Sequence, residues 1–113
     1  MRAISSLQNI ENIQISDIDF SHFENIKLYL DESHLMRRLV RHIPSGELYF
    51  YEFYEEIDYL NGNDPQYRTF IPVESEAQAD KINKLDIFEI HTIIPRLIAD
   101  WHADNTRVIK WVK

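Results

Sequence analysis

Glu47-Leu-Tyr-Phe-Tyr-Glu-Phe-Tyr-Glu-Glu-Ile57, then Asn61-Gly-Asn-Asp-Pro65, then Gln66-Tyr-Arg-Thr-Phe-Ile-Pro-Val73 is the stretch that decides the fold. Tyr49, Tyr51 and Phe53 alternate with Leu48, Phe50 and Tyr54, and aromatic side chains fit a pleated surface better than a helix, so residues 47–57 are predicted to be a strand. Asn-Gly and Asp-Pro supply turn chemistry at 61–65. Residues 66–73 place Tyr67, Thr69, Ile71 and Val73 on one side and Phe70 on the other, a second strand returning beside the first. Because side chains alternate along a strand, the aromatics of 49–54 cannot all face one core.

Toward the C-terminus, Ser75-x-x-Gln78 is a capping box that opens a helix to about residue 85, with apolar Ala79, Ile82 and Leu85. Asp86-x-x-Glu89 repeats the device. The series Ile87, Ile90, Ile94, Leu97, Ile98 and Trp101 then has helical spacing, interrupted by Pro95, which kinks the helix or starts a second one. Val108, Ile109, Trp111 and Val112 mark a last strand in residues 105–112.

Toward the N-terminus, residues 33–43 fit a helical period through Leu35, Met36, Leu39, Val40 and Ile43, yet Pro44-Ser45-Gly46 follows closely, so a strand entering a hairpin competes equally. Glu-Asn-Ile occurs twice at a spacing of thirteen, at 11–13 and 24–26, which suggests short strands at 12–16 and 25–30. Helical spacing of Ile4, Leu7 and Ile10 rivals the first of these. The expected fold class is α+β in a single domain spanning 1–113: an antiparallel sheet packed on one side by the late helices through Ile90, Ile94, Leu97 and Trp101.

Composition narrows the chemistry. With 113 residues, 44% hydrophobic, only two Gly and four Pro, the chain suits one folded domain rather than a disordered segment. The absence of cysteine excludes disulfides, thiolate zinc sites and a cysteine nucleophile. Residues 1–10 lack the pattern of a secretory signal, and no window approaches a membrane span, so a bacterial, cytoplasmic protein is expected. A formal charge of −7 favours a basic partner over direct contact with nucleic acid.

His22, His34, His42, His91 and His102 match no paired metal motif, and Arg37, Arg38 and Arg41 beside two of them repel a cation, so no metal or other cofactor is expected. The two glycines stand alone, which leaves no phosphate-binding loop and no nucleophile elbow. Residues 58–64 lack the spacing and the closing Glu of a calcium loop. Glu52 with Glu56, or Glu55 with Asp58, would suit acid and base roles only if one were buried.

The segment 47–64 carries six acidic residues (Glu47, Glu52, Glu55, Glu56, Asp58 and Asp64), no Lys or Arg, and six of the fourteen aromatics. Carboxylates steer and aromatics supply contact area, so Glu52, Tyr54, Glu55, Glu56, Asp58 and Tyr59 are the candidate partner-binding residues, with no catalytic residue expected. The competing reading is a core hairpin whose acids form its wet side. Arg37, Arg38 and Arg41 would grip an anion or neutralise the neighbouring acidic strand. Neutralisation is favoured, since opposite charges stabilise paired strands.

The sequence from Gly46 to Asp58, with Gly62 to Val73, resembles a small group of uncharacterised bacterial proteins in which a Cys-x-x-Cys-Gly knuckle precedes a tyrosine-rich strand. The resemblance covers residues 33–73. His42 and Ser45 stand at the cysteine places, which implies that the knuckle is lost and its turn held by Pro44 and Gly46. In size, acidity and lack of catalytic motifs the chain is also similar to immunity proteins of contact-dependent growth inhibition systems. That likeness implies a cytoplasmic inhibitor, not an enzyme, which covers a basic, nuclease-type toxin domain. Two alternatives accompany it: a small hydrolase or transferase using Glu52, Glu56 and a histidine, and an adaptor that mimics nucleic-acid charge.

Overall fold

The computed structural model describes residues 6–9 and 18–113. Six strands, β1 (Phe23–Asp31), β2 (Leu35–His42), β3 (Glu47–Glu55), β4 (Gln66–Val73), β5 (Arg96–Trp101) and β6 (Arg107–Val112), lie in sequence order in one antiparallel sheet. Between β4 and β5 the chain forms α1 (Glu76–Asn83) and the single turn α2 (Ile87–Ile90). Short 3-10 turns stand at Leu7–Asn9 and Phe20–His22. The strand expected at 12–16, and Ile4 and Ile10 of its helical rival, lie outside the described residues.

The hairpin at the centre follows the aromatic alternation: β3 and β4 pair with Phe50 opposite Ile71 and Tyr54 opposite Tyr67. The pleat sends Leu39, Phe50, Ile71 and Val73 to one face, where Ala79 and Ile82 of α1 and Ile90 of α2 join them in one buried cluster. Val40, Tyr49, Phe70 and Leu97 go to the other face and cluster with Leu7 and Ile18 from the N-terminal segment. Tyr49 and Phe50 are adjacent in sequence and both are fully buried, so the sheet has a core on each face. Each such side chain contributes roughly 1.5–3 kcal/mol by leaving water.

Burial on both faces resolves residues 33–43 as strand β2. Leu39 and Val40 are consecutive and buried on opposite faces, giving an apolar run that the helical period fits just as well. The same ambiguity misleads for residues 87–101, where a long helical stripe is expected. Helix α2 ends after one turn, and Arg96–Trp101 is a strand. Pro95 cannot donate a helical hydrogen bond, and Leu97 and Ile98, neighbours on a helical stripe, are buried on opposite faces of the sheet. Of the four residues expected to join helix to sheet, Ile90 does so, Leu97 belongs to the other cluster as part of β5, and Ile94 and Trp101 are exposed.

Both capping sequences start helices, but only the second forms the full reciprocal box. Ser75 Oγ accepts from the Gln78 N–H, although Gln78 Oε1 reaches back to Glu74 rather than to Ser75. Asp86 and Glu89 complete a reciprocal capping box. In the turn between β2 and β3, Gly46 adopts φ 76° and its N–H donates to His42 O, while the His42 ring and Ser45 Oγ bond at 2.7 Å. The His42 and Ser45 side chains thus hold the turn together with Gly46.

Candidate binding surface

Strand β3 delivers the acidic residues to two different environments. Glu52 points into the helix-side core, where it is 1% exposed. Its Oε2 accepts from Arg37 Nε at 3.0 Å, across the β2–β3 register, and its Oε1 lies 3.0 Å from His91 Nε2. Arg37 also donates to the carbonyls of Asn83 and Leu85, satisfying the C-terminal end of α1. The expectation that Glu52 contacts a partner is therefore corrected: a buried carboxylate is retained only when paired, and this one ties the sheet to both helices.

Beyond Glu55 the chain leaves the sheet in the loop of residues 56–65, and the environment reverses. Glu56 is exposed, Tyr59 is 91% exposed and Leu60 is 93% exposed. Hydrogen bonds within the loop fix its shape. Asp58 Oδ1 accepts from the N–H groups of Leu60 and Asn61, Asp58 O accepts from Gly62, and Asp64 Oδ1 accepts from the Asp58 N–H at 2.7 Å. Gly62 takes φ 70°, which closes the turn without strain. The base of the loop is held by the Glu56 N–H donating to Pro65 O.

The remaining candidates flank this loop. Tyr54 is half-buried and stacks on Tyr67 with ring centroids 6.0 Å apart. Glu55 accepts from Gln66 Nε2 at 3.1 Å and lies 3.5 Å from His34 Nδ1. Asp58, expected as a contact charge, is the organiser of the turn. Five of the six candidates therefore lie together at one end of β3, and Glu52 stands apart in the core. Leu60 and Asp64 share this loop and were not among the candidates read from the sequence. The signal was present, since two large apolar residues directly before Asn-Gly are an exposed pair at a turn.

The arginine patch is divided by the pleat. Arg37 neutralises Glu52, Arg41 pairs with Glu24 of β1, and Arg38 donates to Asn25 Oδ1. Burial shifts other groups. His42 is held below the usual imidazole range by its burial, and burial also raises the Asp100 carboxyl. Burial opposes ionisation of Glu47, but hydrogen bonds from Ser6, Tyr49 and Ser45 outweigh it and leave that carboxyl below its ordinary value. Among the described residues no group of three or more His, Asp or Glu side chains is arranged to hold a metal ion, and no helix is long and apolar enough to cross a membrane.

Comparison with protein-family models, with curated proteins and with solved structures finds no match to this chain.

Proposed function

We propose that this chain is a non-catalytic binding protein that inhibits a basic protein domain by inserting the tip of its β3–β4 loop. The observation that carries the proposal is the adjacent pair Tyr59 and Leu60, 91% and 93% exposed on a turn fixed by its own hydrogen bonds. Adjacent large apolar side chains left in water are a recognition feature when they are held rigid, because a preorganised loop loses little entropy on docking. Glu55 and Glu56 rim the tip, and no Lys or Arg occurs from residue 47 to 67, so the field there attracts a cationic partner. A nuclease-type toxin domain has that charge because it must bind phosphates. An immunity- or antitoxin-like role in the cytoplasm follows from this pairing.

The hydrolytic alternative loses its carboxylate pair. Both oxygens of Glu52 are engaged in the core, whereas Glu56 stands in solvent beyond the strand. The test begins with coexpression alongside the product of the adjacent open reading frame and continues with association kinetics against that protein. Reversal of Glu55 and Glu56 to Lys is expected to slow association and flatten its salt dependence, because rim charges set the on-rate. An unchanged rate and salt dependence would mean that these carboxylates are only a solvated edge, and the reading fails.

A further inference from the structure

The face of the sheet that carries Tyr49 and Phe70 has an open half, and its chemistry is the reverse of the loop's. A cleft of about 200 Å³ runs along β5 with Ile18, Phe20, Ala99, Trp101 and Ile109 among its walls and Arg68 and Arg107 at its rims. Register explains the arrangement. Arg68 comes from β4 and Arg107 from β6, two strand spacings (roughly 10 Å) apart across the sheet and offset by two residues along it, with β5 forming the floor between them. Arg107 lies over the Trp101 ring at 4.1 Å, and Arg68 lies over the rings of Phe20 and Phe53 at 5.6 and 5.0 Å.

Neither guanidinium has a carboxylate within ion-pairing distance among the described residues, and Arg68 donates to the neutral Gln66 side chain. In a chain of formal charge −7 this local excess of positive charge stands out. Asp100 also borders the cleft, but it alternates with Ala99 and Trp101 along β5. Its Oδ1 accepts from the Arg68 backbone N–H at 3.3 Å, and its charged neighbours are His102, Arg96 and His91. The cleft thus combines an aromatic and aliphatic floor with two guanidinium groups that have no ion-paired carboxylate among the described residues.

We infer that this cleft binds a small planar organic anion, its ring lying along Trp101, Ala99 and Ile109 and its carboxylate or phosphate held by Arg68 and Arg107. Guanidinium groups match both oxyanions in forked geometry, and a cavity of roughly 150 Å³ already admits a benzene ring, so this cleft has room for a fused pair. The site lies on the sheet face and does not depend on the inhibitory role.

The test is a titration of isotope-labelled protein with naphthoate, naphthyl phosphate and the neutral naphthylmethanol, read at the two indole N–H signals. Trp101 donates to Asn105 Oδ1 and borders the cleft, whereas Trp111 donates to Leu7 O and is an internal control. At least one anion is expected to shift the Trp101 signal and leave that of Trp111 in place. The comparison of naphthoate with naphthyl phosphate assigns the oxyanion. The neutral alcohol should bind about tenfold more weakly or worse, and Arg68→Gln with Arg107→Gln should weaken the anion by a similar factor while signal dispersion is kept. Ala99→Leu, which fills the floor and leaves both charges, should abolish the shift. No shift at millimolar anion, equal binding of the alcohol, or unchanged affinity in the double variant would each overturn the assignment.

Discussion

Glu52 and Glu56 stand one on each side of the end of strand β3, and they have opposite fates. Glu52 is enclosed by Arg37 and His91 in the core beneath the helices, whereas Glu56 opens the exposed loop that carries Tyr59 and Leu60. A run of acidic residues in a sequence is thus not one electrostatic object. Within the sheet, the pleat aims one carboxylate at a guanidinium, and its charge is consumed internally. Past the sheet, Glu56 is exposed, and its field reaches solvent. The difference teaches that Glu52 serves the core, while the loop is the surface on which the proposed recognition rests.

The largest test of this division is Glu52→Ala. It leaves Arg37 buried without its counter-charge and is expected to lower stability by about 3–5 kcal/mol in chemical denaturation. Glu56→Ala should stay within about 0.5 kcal/mol of the parent. Equal effects of the two would break the comparison. Replacing the pair together, Arg37→Met with Glu52→Leu, should recover much of the loss, because no unpaired charge then remains.

A smaller effect, and on affinity rather than stability, is expected from Tyr59→Ala. Loss of the aromatic anchor should weaken the partner complex by about 2 kcal/mol, mainly through a faster off-rate, with the unfolding midpoint unchanged. If the midpoint falls instead, the tip is part of the fold and not a free surface. Asp58→Ala sharpens the same point: it removes the acceptor for two loop N–H groups and should cost about 1 kcal/mol of affinity through lost preorganisation. Amide exchange at Leu60 and Asn61 should quicken without a change at the strand amides.

The smallest effect concerns pH. The folded state holds His42 below its ordinary value of 6.5, so the neutral ring is favoured on folding. Stability should be full above pH 6.5 and decline as pH falls below it, where the unfolded chain takes up the proton first. Glu47, lowered from an ordinary 4.5, contributes a separate loss that begins only at more acidic pH. In His42→Gln the first decline should vanish and the second remain. A profile identical to the parent through the first decline would exclude His42 as its source.

Much of the fold was legible wherever one periodicity stood alone. Residues 66–73 form β4 with those bounds, the 47–57 stretch forms β3 as far as Glu55, and both capping sequences start helices. The failures share one cause. A strand covered on both faces is apolar without alternation, and Ile94, Leu97, Ile98 and Trp101 then fall at spacings that a helix also satisfies. The loop was legible as acidic and aromatic, but the separation of Glu52 from it was not, because alternation says which residues share a face and not which face is covered.

By itself the sequence determined the central hairpin, the helix starts at Ser75 and Asp86, the turn chemistry at Asn61-Gly62 and the exclusion of cysteine chemistry. All of these depend on residues close together in the chain, where backbone preference and local hydrogen bonds decide. Only the tertiary structure decided that Glu52 faces Arg37 and His91, that Tyr59 and Leu60 face nothing, and that Arg68 and Arg107 flank one cleft. Those outcomes depend on which elements cover each face of the sheet, and that coverage joins segments such as Leu7 and Trp111, or Arg37 and Leu85, that are distant in sequence.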